Sequence, residues 1–224
     1  MRRAQFVAAA ALATVATCAS GCFADGEPDD PPEETDVSAV DLDVTVAADL
    51  GVGHPSGPDY PPEAEGLIAG YTVTNNSDTP ILVAERRADL RVRDVGRPVP
   101  ADEETAWVYA ADDGVIQLTK ELFSVTADGG EAWQVPAVRV QPGQSIDGNA
   151  FALLPLAAIV PSSDDFEVPG STELPDDATA WRFCIQVAPD PGTVDEPTIF
   201  DYTPDGRLLC SAEADLPPDT LTKP

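Results

Sequence analysis

Residues 66–84 read GLIAGYTVTNNSDTPILVA. Gly66–Thr74 and Ile81–Ala84 are apolar and β-branched, and Asn75-Asn76-Ser77-Asp78-Thr79-Pro80 stands between them. Asn and Asp tolerate the left-handed backbone of tight turns, and proline suits a strand's first residue but not its interior. The stretch predicts strand, turn, strand.

The same pattern extends both ways. Leu42–Ala48 alternates, and Leu90–Val95 and Thr105–Ala110 follow. Asp112-Asp113-Gly114 is a turn before Val115–Thr119, and Gln141-Pro142-Gly143-Gln144 separates Val135–Val140 from Ser145–Leu154. Trp181–Val187 and Arg207–Ala212 close the series, the latter after a Pro204-Asp205-Gly206 turn. About ten short strands with recurrent turns predict an all-β fold, an antiparallel sandwich. Gln117–Phe123 is the one place where a helical turn or two is expected, through Leu118, Leu122 and Phe123. The 23 prolines argue against long helices. The apolar run Ala150–Val160, broken by Pro155, reads as core, as do Trp107, Trp133 and Trp181. On their strand, Trp181 and Phe183 share one face and Cys184 takes the other. One domain is expected over 41–216, with a C-terminal tail at 217–224.

The N-terminus places the chain. Met1-Arg2-Arg3 is cationic, and residues 4–17 are apolar apart from Gln5, Thr14 and Thr17. Ala19-Ser20-Gly21-Cys22 supplies small residues before a cysteine. Residues 1–21 therefore read as a secretory signal, too short for the roughly 18–20 apolar residues of a membrane span. Residues 22–40 read as an acidic, Pro-rich tether. Seven of the fourteen residues Phe23–Asp36 are acidic and three are proline, so the segment is expected to stay disordered. Extended, it reaches about 40 Å.

The Ala-Ser-Gly-Cys sequence resembles the lipobox of bacterial lipoproteins. That resemblance implies diacylglyceration of Cys22, cleavage before it and anchoring to the extracytoplasmic face of the cell membrane. The alternative is an ordinary secreted protein cut near Ala24. The YTVTNNSDTPILVAERR stretch (71–87), the VQPGQS turn (140–145) and the WRFCIQV strand (181–187) resemble immunoglobulin-like β-sandwich domains of bacterial lipoproteins. The preference for Arg over Lys, ten against two, is similar to that of actinobacterial proteins. The resemblance covers residues 40–215 and brings no catalytic residues with it.

Charge excludes one class of partner. Lys and Arg total 12 against 40 acids, for a net charge of −28. Nucleic-acid binding needs clustered cations in excess, so no nucleic-acid partner is expected. Among the few cations, Arg86, Arg87, Arg91, Arg93 and Arg97 lie within twelve positions. They form a candidate anion-binding patch, because the planar guanidinium suits phosphate or carboxylate. Pairing with the protein's own acids is the other reading.

Four cysteines are present. Cys18 leaves with the signal and Cys22 is the lipidation candidate. Cys184 and Cys210 remain, an even pair in an exported chain, and are expected to form a disulfide. The bridge would close a loop of about 25 residues and stabilise by roughly 3 kcal/mol. Two free buried thiols are the alternative.

Catalytic signatures do not emerge. His54, the sole histidine, lies in the Gly/Pro loop Gly51–Pro58 with no orienting partner in view. Pro55 and Pro58 bar the helix that a dinucleotide turn requires. Gly143-Gln144-Ser145-Ile146-Asp147 lacks the second glycine of a nucleophile elbow. Asp112-Asp113, Asp128–Glu131, Asp164-Asp165 and Asp195-Glu196 are oxygen-rich turns, none matching a calcium loop. No cofactor and no metal is expected, and no enzymatic activity. The leading expectation is a lipid-anchored extracytoplasmic binding or interaction module whose partner is a protein or a cell-wall polymer. The alternatives are a structural envelope spacer and a carboxylate-dependent hydrolase. The last would show two facing, partly buried acids in a groove.

Overall fold

The computed structural model describes residues 42–56, 60–61, 63–85, 92–93, 104–125, 134–161, 166–192, 199–201 and 206–221. The expected signal peptide and tether lie outside the described residues. In chain order the strands are β1 (Val44–Gly53), β2 (Gly66–Asn75), β3 (Ile81–Ala84), β4 (Val92–Arg93) and β5 (Trp107–Ala110). Next come β6 (Ile116–Lys120), β7 (Ser124–Val125), β8 (Gln134–Val140), β9 (Ser145–Leu153) and β10 (Val160–Pro161). The last are β11 (Phe166–Glu167), β12 (Ala180–Pro189), β13 (Ile199–Asp201), β14 (Arg207–Cys210) and β15 (Ala214–Asp215). The fold is all-β, with no helix among the described residues. The helical turn expected over Gln117–Phe123 is replaced by β6 and a non-helical connection to β7. Tertiary pairing on both sides of β6 overrides the local Leu118/Leu122 spacing.

Two larger sheets organise the chain. One is a three-stranded antiparallel sheet in the order β1-β2-β9. The other runs β13-β8-β3-β12-β6-β5, with β14 and β15 also pairing with β12. The expectation of purely antiparallel sheets is corrected here, because β12 pairs with β6 in parallel, Trp181 opposite Ile116 through Ile185 opposite Lys120. A parallel pair requires a long crossover. The chain between β6 and β12, which includes β8 and β9, provides it.

The stretch 66–84 is strand, turn, strand, but its two strands do not pair. β2 belongs to the small sheet and β3 to the large one, so the turn carries the chain between sheets. Asn75 fixes this corner. Its side chain is fully buried, and Nδ2 donates to Thr79 O at 2.8 Å and to Val140 O at 2.9 Å. Its Oδ1 accepts the Ser77 N–H at 3.0 Å. One amide thereby satisfies carbonyls of the turn and of β8 that burial would otherwise leave unpaired.

Between the sheets lie Leu67, Ala69, Tyr71 and Val73 of β2, Ala150 and Ala152 of β9, and Leu118, Phe183 and Ile185 of β6 and β12. The two-residue period of an extended strand points these β2 residues inward together. Tyr71 stacks on Phe183, with ring centroids 4.6 Å apart and an interplanar angle of 13°. Gly148, opposite Tyr71 in the register, makes room for that ring, since a Cβ there would lie 2.4 Å from the Tyr71 hydroxyl. Trp107 and Trp181 are buried as expected; Trp133 lies outside the described residues. A second apolar cluster joins Tyr60, Ala64 and Phe151, with Tyr60 edge-on to Phe151 at 5.0 Å. After β15 the chain stays docked. Thr220 is buried, its carbonyl accepts the Leu156 N–H, and Leu221 packs on the core.

Candidate functional site

The buried chemistry concentrates on β5, β6 and β12. Alternation gives β6 two faces. Ile116, Leu118 and Lys120 point one way and Gln117 and Thr119 the other. The register sets Trp107 opposite Thr119 and Tyr109 opposite Gln117 on β5, and Arg182 and Cys184 opposite Gln117 and Thr119 on β12. The side of the large sheet facing away from Tyr71 therefore carries a continuous set of polar groups.

Those groups form one hydrogen-bonded chain. The Tyr109 hydroxyl and Thr119 Oγ1 each donate to Glu121 Oε1 at 2.7 Å. Gln117, with its amide oxygen turned to Arg182, accepts from Nε at 3.0 Å and Nη2 at 2.6 Å, and its nitrogen donates to the Tyr109 hydroxyl at 3.1 Å. Arg182 Nη1 also donates to Asp113 Oδ2 and Glu213 Oε1, both at 3.1 Å. The chain thus runs from two exposed carboxylates to a carboxyl that is only 5% exposed. Trp107 Nε1 donates to Glu121 O, and the Leu122 N–H donates to Gln186 Oε1.

Burial pushes the Glu121 carboxyl above the usual carboxylate range, against the opposing pull of the Thr119 and Tyr109 hydrogen bonds. Burial also raises the Tyr109 phenol, and the neighbouring Glu121 charge adds to that. Asp113 moves the other way, held below the usual range first by the Val115 N–H and then by Arg182. Chemically this is a buried carboxyl that accepts hydrogen bonds from a phenol and a hydroxyl. Among the described residues, the side chains that act on the Glu121 carboxyl are Thr119 and Tyr109, neither of them a carboxylate. Two further acids with buried side chains are among the described residues: Glu104 accepts from the Ser56 N–H at 2.7 Å and Asn149 Nδ2 at 3.4 Å, and Asp190 accepts from Arg139 Nε.

The opposite face holds Lys120, which is buried. Its Nζ donates to the Tyr71 hydroxyl at 3.2 Å and lies 5.1 Å from that ring's centroid.

Cys184 and Cys210 form a disulfide across directly opposed positions of β12 and β14, 26 residues apart in sequence. Cys184 is buried and Cys210 exposed. The expected division of β12 holds as well, since Phe183 stacks inward on Tyr71 while Cys184 bonds to β14. His54 is exposed in its loop and donates from Nδ1 to Ala64 O at 2.7 Å. Asp112-Asp113 is a turn whose second acid pairs with Arg182. Cys22, Arg86, Arg87, Arg91 and Arg97 lie outside the described residues. Arg93 is placed only through its backbone in β4, opposite Val160 of β10.

Sequence reading did not single out Gln117, Thr119, Glu121, Tyr109 or Arg182. The signal was present as period-two polarity in Ile116-Gln117-Leu118-Thr119-Lys120-Glu121. It was masked by the competing helical spacing of Leu118 and Leu122. No protein-family model, curated protein or solved structure matches the chain.

Proposed function

We propose that this chain is a lipid-anchored extracytoplasmic interaction module built on an immunoglobulin-like sandwich. The observation that carries the reading is the Cys184–Cys210 disulfide, because such bridges persist in oxidising compartments outside the cytosol. It agrees with the signal-like residues 1–21 and with Ala19-Ser20-Gly21 before Cys22. Lipid attached at Cys22 would hold the protein at the membrane surface, two acyl chains being enough for stable anchoring. The hydroxyls around Glu121 are taken up by hydrogen bonds within the protein, which suits an interior that builds a scaffold. The test is fractionation of cells expressing the full chain. Wild-type protein should sediment with membranes and Cys22→Ser protein should appear in the soluble fraction. Equal membrane association of both would overturn the anchor.

A further inference from the structure

The two sheets end differently. The free side of β5 is closed by two short returns of the chain. Val108 exchanges both backbone hydrogen bonds with Ile159, and Ala110 does the same with Ser171. Among the described residues the small sheet ends at β1.

The register defines what β1 leaves open. Asp43 O accepts the Asn76 N–H, and Asn75 directs both its N–H and C=O toward the β9 side, to Gln144 and Gly143. The β1–β2 register runs without a bulge from Val44 opposite Asn75 to Gly53 opposite Gly66. The odd-numbered residues of β1 therefore bond to β2. Val44, Val46, Ala48, Leu50 and Val52 point their N–H and C=O groups outward. No described residue hydrogen-bonds to that row.

Three further features mark this edge. The side chains of Val44, Val46, Ala48 and Leu50 face the core yet are only half-buried. Val52, at 42% exposure, is the exposed large hydrophobic among the described residues. Protected edges usually carry lysine, proline or a bulge, and β1 has none of them. Instead, Leu42–Ala84 contains no Lys or Arg, and Asp43, Asp49 and Asp147 are exposed on or beside the sheet.

We propose that the outer edge of β1 is a docking edge for an extended polypeptide segment of a partner protein, with apolar residues at alternate positions and basic residues between them. This rests on the interaction-module reading and names its surface. The segment adds a strand to the β1-β2-β9 sheet, a recognition mode in which backbone hydrogen bonds give affinity and alternate side chains give specificity. Its apolar side chains cover Val46, Ala48 and Leu50. Its basic side chains lie on the opposite face, beside Asp49. A second copy of the chain is the less suited occupant, because it brings another net charge of −28.

The test uses the full chain in detergent, so its outcome does not depend on whether Cys22 anchors the protein. The probe is a fluorescent, end-capped ten-residue peptide of alternating valine and lysine, titrated at physiological salt. Two controls separate edge pairing from charge attraction. One is the same peptide N-methylated at every second residue, which removes hydrogen bonds and keeps the charge. The other is Ala48→Pro, whose missing N–H is one that β2 does not use. Ala48→Pro should weaken binding by about tenfold, as expected for one lost backbone hydrogen bond, and the methylated peptide, which lacks up to five donors, by more. The methylated peptide leaves the protein unaltered, so it remains decisive if Ala48→Pro perturbs folding. No binding of the probe, or equal binding of the methylated peptide, would overturn the proposal. So would a dimer by sedimentation that Ala48→Pro dissolves, which would assign the edge to a second copy.

Discussion

The two faces of the β6–β12 pair are both buried but are built from different chemistry. On one, Ile116, Leu118, Trp181, Phe183 and Ile185 pack toward β2, with Lys120 held against Tyr71. On the other, Gln117, Thr119, Arg182, Gln186 and the Cys184–Cys210 bridge adjoin Tyr109 and Glu121. The first face is stabilised by removing apolar surface from water, about 25 cal/mol per Å². The second buries polar groups and so depends on each finding a partner. The difference teaches that a hydrophobic face tolerates approximate shape, whereas a polar face is specific, because each lost partner strands another group.

The largest expected effect is on the apolar face. Phe183→Ala removes the ring that stacks on Tyr71 and should destabilise the fold by about 3–5 kcal/mol. Chemical denaturation followed by tryptophan fluorescence measures it, with Trp107 and Trp181 as buried reporters. A loss below about 1 kcal/mol would mean that the site collapses around the gap and that the apolar face is not the dominant one.

Next is the covalent member of the polar face. Replacing Cys184 and Cys210 together by alanine should cost roughly 3 kcal/mol through the freed loop, and the denatured chain should expand. The paired change avoids a lone thiol. If the double variant unfolds at the same denaturant concentration as wild type, the bridge adds no stability to the β12–β14 pairing.

The smallest effect has the clearest sign. Because burial raises the Glu121 carboxyl in the folded state, that residue's contribution is fully present below its ordinary value of 4.5. It is lost as pH rises through the folded value. Glu121→Gln keeps an acceptor for Tyr109 and Thr119 but never ionises. Its stability relative to wild type should therefore increase from acid toward neutral pH, with the two curves converging below about pH 4. Thermal unfolding of both proteins across that range checks it. A difference that does not change with pH would show that Glu121 titrates as an ordinary exposed acid.

Much of the strand pattern was legible in the sequence. Alternation in β1, the β2 strand itself, the Asn75–Pro80 turn, the Asp112–Gly114 and Pro142–Gly143 turns and the opposed faces of Phe183 and Cys184 all follow from side-chain periodicity and turn chemistry. The Gln117–Phe123 segment was misread because Leu118 and Leu122 satisfy a helical spacing as well. Only the strands on either side of β6 settle between the two.

By itself, then, the sequence determined what is local: strand positions, turns, the opposed faces of Phe183 and Cys184, and an even pair of thiols. Backbone sterics and side-chain periodicity act within a few residues, so a single chain displays them. Tertiary structure alone decided which strands are neighbours. It sent β2 and β3 to different sheets, ran β12 parallel to β6, brought Cys184 opposite Cys210, and linked Glu121 to Thr119 and Tyr109 and onward through Gln117 to Arg182. These are contacts between residues far apart in the chain. They are fixed by the requirement that buried donors and acceptors be paired and apolar faces be covered all at once, which no local window of sequence expresses.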